Sequence, residues 1–232
     1  MGSIRVAIAV CVAATALSAA PLLAQGQAPP PPSPPARFAV VIDAAHGGDD
    51  VGARFSNGTL EKNLTLAISV RLRSLLGARG FTVITTREGD QPLTVDRRAE
   101  IADRAAAQAC ISLHATASGL GVHLFTSSLA PTPRSRVVGW KSAQAGWTAQ
   151  SLALAGVVNS SLQQAGFAVT LARVNLPGVD SMTCPAIAVE LAQPVGLDHK
   201  PNGSLTDPDY QSHLSEALAA ALLEWRTEVR QP

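Results

Sequence analysis

The chain has 232 residues and a formal net charge of +1; 47% of it is hydrophobic, 15% charged and only 4% aromatic. That length holds one ordinary domain plus extra segments. With no block of like charge, the composition argues against a nucleic-acid surface or a polybasic membrane patch as the main function.

Residues 1–24 read as an export signal. Arg5 is the only charge, Val6 to Ala20 is apolar and small, and Leu22-Leu23-Ala24-Gln25 offers a cleavage point after Ala24. An uncleaved anchor is the rival reading, because the run approaches spanning length; against it, the run is Ala-rich and broken by Pro21. Cys11 falls inside the run, too early for a lipid-anchored cysteine. Residues 25–36 form a Pro-rich linker, expected to be extended polyproline II and to act as a stiff spacer. The folded domain is expected over residues 37–230, with no repeats and no second domain, and to work outside the cytoplasm.

Phe38 to Ile42 is a continuous apolar run rich in β-branched residues, so it reads as a strand buried on both faces. It stops at Asp43, and His46-Gly47-Gly48 follow where the chain must turn. Polar groups at strand ends are where open α/β sheets place their chemistry. A loop then runs from Asp49 to Thr59, with Asn57-Gly58 as a turn signal. The spacing of Leu64, Ile68, Leu72 and Leu75 predicts a helix over 61–78, ended by Gly80 as a left-handed cap. Glu61 is in its first turn. There it either complements the helix dipole or faces His46 across the loop.

Phe81 to Thr86 reads as a second strand, and 95–107 as a helix with Ile101 and Ala105 inward and Arg97, Arg98 and Arg104 outside. A third strand covers Cys110 to Ala115 and ends near His114. Two neutral imidazoles and a carboxylate are the kind of set that holds a catalytic Zn²⁺ with one open position. Gly121 to Ser127 is a fourth strand; His123, in its middle, reads as a packing or edge residue rather than a ligand. Residues 130–147 form a long connection whose Trp140 and Trp147 stack on a ligand or plug the loop onto the core.

A helix over 148–165 is expected to bury Leu152, Ala155, Val158 and Leu162, followed by a short strand at Phe167 to Leu171. The loop 172–183 carries Arg173 and leads into a buried strand, Pro185 to Leu191. Glu190 in that apolar run needs a partner; water activated at a metal or the guanidinium of Arg173 would serve. Cys110 and Cys184 form a disulfide or stay as two packed thiols; the sequence leaves both open. The last helix starts at the Asp207 cap with Pro208 in its first turn, and carries an apolar stripe through Tyr210, Leu214, Leu218, Leu222 and Trp225. His199 and His213 read as surface residues.

Four blocks in order resemble the zinc-dependent N-acetylmuramoyl-L-alanine amidases (amidase type 3). They are Ile42-Asp-Ala-Ala-His-Gly-Gly48, Leu60-Glu-Lys-Asn-Leu64, Thr86-Arg87 with Asp90, Arg98 and Ala102 leading to Ile111-Ser-Leu-His-Ala115, and Pro185-Ala-Ile-Ala-Val-Glu190. The resemblance covers about Phe38 to Leu223. It implies a single α/β domain (phosphorylase/hydrolase-like) with a central mixed, mostly parallel sheet flanked by helices. It implies one Zn²⁺ per chain on His46, Glu61 and His114, and Glu190 as the catalytic acid–base group. Arg173-Val-Asn-Leu176 also resembles the stretch upstream of that strand, which makes Arg173 a candidate substrate-binding residue. The implied substrate is peptidoglycan or its muropeptides, cut between N-acetylmuramic acid and L-alanine in the periplasm or extracellular wall by a monomer. No nucleic acid, no stable membrane insertion after signal cleavage and no identified activator enter this expectation.

Three positions depart from the family pattern: Ala44-Ala45 in place of Pro-Gly, Thr116 in place of Asn, and Leu191 to Gly196 in place of Gly-Phe and a Ser-Asn pair. If the first loop needs a positive φ, Ala45 costs about 1–2 kcal/mol relative to glycine. A catalytically impaired peptidoglycan-binding protein on the same fold is one alternative. A zinc peptidase acting on sugar-free peptides is another, since water activation is the same chemistry on any amide.

Overall fold

The computed structural model describes Gly2, residues 38–196 and residues 200–230. The segments expected to be an export signal (Gly2 apart) and a Pro-rich linker, together with Cys11 and His199, lie outside the described residues. Six strands, β1 (Ala39–Ala44), β2 (Thr82–Thr85), β3 (Ala109–Leu120), β4 (Val122–Ser127), β5 (Val169–Val174) and β6 (Ala186–Gln193), form one sheet in the order β2-β1-β3-β6-β4-β5. Strands β2, β1, β3 and β6 run parallel; β4 is antiparallel to β6, and β5 is parallel to β4. Among the described residues, five α-helices flank the sheet: α1 (Glu61–Ala78), α2 (Val95–Ala105), α3 (Thr148–Gln164), α4 (Pro177–Asp180) and α5 (Pro208–Arg230). The mixed, mostly parallel sheet is the one expected.

Both faces of the sheet are covered at β1 and β3, which explains their unbroken apolar runs. On one face Val40, Ile42, Ile111, Leu113 and Val189 meet α1, α3 and α5 through residues such as Ile68, Leu154, Val158 and Leu218. On the other, Val41, Cys110, Ala186 and Ala188 pack under Ala99 and Ala102 of α2 and Val179 of α4. Cys110 and Cys184 are joined in a disulfide in this smaller core, with Cα atoms 6.2 Å apart.

Helix α1 has the expected bounds, but its stripe ends on Leu76 rather than Leu75, which is half-buried. Gly80 takes φ +78° after it. In α2 the inward residues are Arg98, Ala99 and Ala102, so the helix is rotated from the expected face and Arg98 is buried, not outside. Ile101 and Ala105 are only half-buried. In α3 the side chain of Leu152 is exposed, and Ser151 takes the inward position. Its hydroxyl donates to Gln144 Oε1 at 2.8 Å and accepts from the Ala186 amide at 2.9 Å. A polar residue with both bonds made is cheaper to bury than the periodicity alone suggests. Asp207 caps α5 as expected, its Oδ1 accepting from the Asp209 amide at 2.9 Å. Trp147 is half-buried under the Arg134 guanidinium, 3.8 Å from the ring centre, while Trp140 is exposed.

Candidate metal centre

Strand β1 delivers the first ligand through a buried polar platform. Asp43, 4% exposed, accepts from Thr86 Oγ1 (2.7 Å) and Arg98 Nη1 (2.7 Å) on one oxygen and from Ser112 Oγ (2.8 Å) on the other. Arg98 also donates to the carbonyls of Ala44 and His46, both at 2.6 Å. Arg87 donates to the carbonyls of Ala44, Ala45, Lys62 and Gly89. Two buried guanidiniums therefore hold the turn after β1. The positive φ there belongs to His46 (+62°), not to Ala45. A left-handed non-glycine residue costs about 1–2 kcal/mol and persists only where its surroundings hold it.

Glu61 sits at the first position of α1, where the loop 49–60 folds back onto it. Its Oε2 accepts from the Ala53 amide at 2.8 Å and its Oε1 from the Ala115 amide at 3.0 Å. Oε1 also lies 3.1 Å from His46 Nε2 and 3.2 Å from His114 Nδ1. The two imidazoles stand nearly perpendicular, 5.7 Å between centres. Ligand atoms of His46, Glu61 and His114 all fall within 4.8 Å of one another. In a tetrahedral site with metal bonds near 2.0–2.1 Å, neighbouring ligands stand about 3.3 Å apart. The two Glu61 contacts match that spacing, so the donor set fits a metal ion.

The electrostatics agree. Burial pushes the Glu61 carboxyl up, but hydrogen bonds from His114, His46 and the Ala53 and Ala115 amides overcome it and hold the group well below the ordinary carboxylate range. The Glu61 carboxylate raises His46 above the ordinary imidazole value; burial opposes this, and Asp50 adds to the rise. Asp50 Oδ2 lies 2.8 Å from His46 Nδ1. Asp50 is pushed up by its partial burial, yet the His46 contact and the Gly52 amide bring it below its usual value. A carboxylate behind a ligating imidazole fixes its tautomer and leaves the far nitrogen free to bind. Gly52 closes the arrangement from the loop side. A Cβ there would stand 2.5 Å from Glu61 Oε2 and 2.6 Å from His46 Cδ2.

The model for N-acetylmuramoyl-L-alanine amidases matches residues 40–224 of this chain. The chain belongs to the N-acetylmuramoyl-L-alanine amidase family. Among curated amidases, AmiA of Escherichia coli strain K12 is 42% identical over 76 residues, 33% of this chain and 26% of that protein. A putative amidase of Buchnera aphidicola is 41% identical over 80 residues, 34% of this chain and 37% of that protein. The chain thus matches about a quarter to a third of these relatives' lengths. Among solved structures, the amidase AmiC2 of Nostoc punctiforme aligns with 82% of this chain and 97% of its own at TM-score 0.63 and 26% identity. The amidase Ami1 of Mycobacterium smegmatis shares the fold at TM-score 0.66 and 19% identity, over 82% of this chain and 97% of its own.

Glu190 on β6 is the register partner of His114 on β3, and of His123 on β4. Residues directly opposite in a sheet point to the same face. Glu190 is half-buried and its carboxylate has no hydrogen-bond or ion-pair partner among the described residues. His123 stays outside the ligand cluster, its Nδ1 2.6 Å from Thr170 Oγ1. Arg173 is placed elsewhere: it lies in β5, and its guanidinium donates to the carbonyls of Ser127 (3.1 Å) and Leu129 (2.8 Å). It is not brought to Glu190 or to the ligand cluster. Sequence reasoning missed Asp50 and the buried role of Arg98. The i, i+4 spacing of His46 and Asp50 was the available signal for the first; for the second it was the place of Arg98 in a family-like block, since periodicity alone reads a helical arginine as solvated.

A cavity of about 280 Å³ opens on the two histidines, lined also by Ser112, Ala188 and the α4 segment around Pro177 and Val179. A larger cleft of about 560 Å³ begins at Thr116, two residues beyond His114, and is walled by Arg54, Phe55 and Gln193. No helix among the described residues is long and apolar enough to cross a membrane.

Proposed function

We propose that this amidase hydrolyses the amide between the lactyl group of N-acetylmuramic acid and the L-alanine of the stem peptide, using zinc held by His46, Glu61 and His114. The observation that carries this reading is the spacing of His46 Nε2, Glu61 Oε1 and His114 Nδ1 beside an unpartnered Glu190 on the neighbouring strand. When bound, Zn²⁺ supplies a Lewis acid that polarises an amide carbonyl and acidifies water toward a pKa of about 7.

The chain's own residues do the rest. Asp50 holds the Nδ1 proton of His46, so Nε2 presents its lone pair. Glu61 brings a negative charge that four hydrogen bonds keep ionised against the cost of its burial. Glu190 takes one proton from the attacking water as the oxygen bonds to the lactyl carbonyl carbon. It returns that proton to the L-alanine nitrogen as the C–N bond breaks, so a neutral amine leaves. His114 and Glu190, neighbours on the central strands β3 and β6, are both only half-buried, which gives the scissile amide access.

The export signal and the Pro-rich linker support work in the wall compartment, where this substrate lies. Metal content and wall digestion of two variants test the reading. His114→Ala loses the metal; Glu190→Ala keeps it and loses turnover. A fully active Glu190→Ala variant removes Glu190 from the mechanism.

A further inference from the structure

The cleft that starts at Thr116 holds one ionised side chain among its described lining residues, Arg54. Several of the other polar side chains there have partners of their own. Asn57 Oδ1 accepts from the Thr59 amide, Gln193 Nε2 donates to the Gly203 carbonyl, Ser204 Oγ meets Thr206 Oγ1 at 2.9 Å, and Thr116 Oγ1 meets Ser118 Oγ at 3.2 Å. The Arg54 guanidinium has no hydrogen-bond or ion-pair partner among the described residues, and no acid lines the cleft. A guanidinium is a planar fork of donors matched to a carboxylate.

Arg54 is also tied to the metal centre. It follows Ala53, whose amide donates to Glu61 Oε2 and whose carbonyl accepts from the Glu61 amide at 2.9 Å, and it bridges Leu60 across the loop. The loop that positions a metal ligand therefore also positions this cation. The smaller cavity is lined by Ser112 and His114, and the cleft by Thr116, two residues further along β3. A hydrolase that cuts between a sugar-borne acyl group and a peptide needs two such arms.

We infer that the Arg54 cleft is the peptide arm, and that Arg54 binds a free carboxylate of the stem peptide leaving the scissile amide. The inference rests on the amidase reading above. It makes the enzyme selective for anionic over amidated stems, and it orients the substrate, with the glycan directed to the opposite side.

The test uses zinc-loaded full-length protein and pairs of muropeptides that differ only in a free or amidated stem carboxylate. Arg54→Ala and Arg54→Gln raise KM for the free-acid substrate by about tenfold, the low end for a charge-assisted contact at an exposed site, with kcat and metal content unchanged. KM for the amidated substrate moves by less than about twofold. Affinity for the released free-acid stem peptide, measured by calorimetry, falls in the same proportion, and this reading needs no turnover. Equal kinetics and equal peptide affinity for wild type and Arg54→Ala overturn the inference, as does a loss that is the same for both substrates. Wild-type protein that releases no stem peptide at all overturns the amidase reading instead, and the calorimetry still decides whether Arg54 binds the carboxylate.

Discussion

One methyl group added at residue 52 is expected to separate a loop that can hold the proposed metal from a merely folded one. Gly52 has φ +66°, a conformation that costs a residue with a Cβ about 1–2 kcal/mol. The added Cβ of Gly52→Ala would stand 2.5 Å from Glu61 Oε2, 2.6 Å from His46 Cδ2 and 2.8 Å from Glu61 Cβ. Ordinary carbon contacts lie near 3.5–4.0 Å, so relief demands movement of roughly 1 Å in the loop or in the two ligands. Metal bonds tolerate about 0.2 Å. The variant is therefore expected to lose about 100-fold in metal affinity, the upper end of what ligand-orienting neighbours contribute. Its metal-free melting temperature falls by only a few degrees, about 2–4 °C per kcal/mol for a domain of this size. Competition with a chromophoric chelator measures the first and calorimetric melting in excess chelator the second. Metal affinity within about twofold of wild type would refute the claim that close packing by Gly52 holds Glu61 and His46 in place.

Asp50→Ala frees the Nδ1 edge of His46 and is expected to weaken metal binding about 10–100-fold, measured by the same chelator competition, while leaving the melting curve of the metal-free protein nearly unchanged. Replacing Cys110 and Cys184 together by serine opens a loop spanning 74 residues. The chain-entropy model assigns such a link about 4 kcal/mol, so the thermal midpoint falls by roughly 10 °C. In the metal-free protein, Glu61 is held below its ordinary value of 4.5, so its share of stability is present above that pH and is lost as pH falls below it. His46 is raised above 6.5, so its share is present below 6.5 and is lost as pH rises through its folded value. The metal needs His46 neutral, so apparent metal affinity climbs as pH rises through and above 6.5, and chelator competition across pH 5.5–8 checks that slope.

Strands with β-branched apolar runs were legible because burial on both faces leaves no alternation to misread. The long α1 stripe was legible because its period is sustained over four turns. His46, Glu61 and His114 could be chosen because each stands at an element end in sequence. The failures share a cause: polar residues that carry their partners inside. Arg98 reads as surface until Asp43 and the carbonyls of Ala44 and His46 are seen to claim it. Ser151 displaces Leu152 from the inward face of α3 because two hydrogen bonds satisfy its hydroxyl. Strand β3 runs on to Leu120 through a Ser-Gly stretch with no strand propensity, because its register shifts beyond Ala115 and pairs again at Gln193. Arg173, offered as a partner for Glu190, is instead carried by β5 to the carbonyls of Ser127 and Leu129.

Mass spectrometry of peptidoglycan fragments released by the zinc-loaded protein tests the central claim most directly. Stem peptides with a free L-alanine amino terminus, together with glycan whose N-acetylmuramic acid keeps a free lactyl carboxylate, are the expected products. Cuts inside the peptide or the glycan, or intact wall after digestion with fully metallated protein, would contradict it.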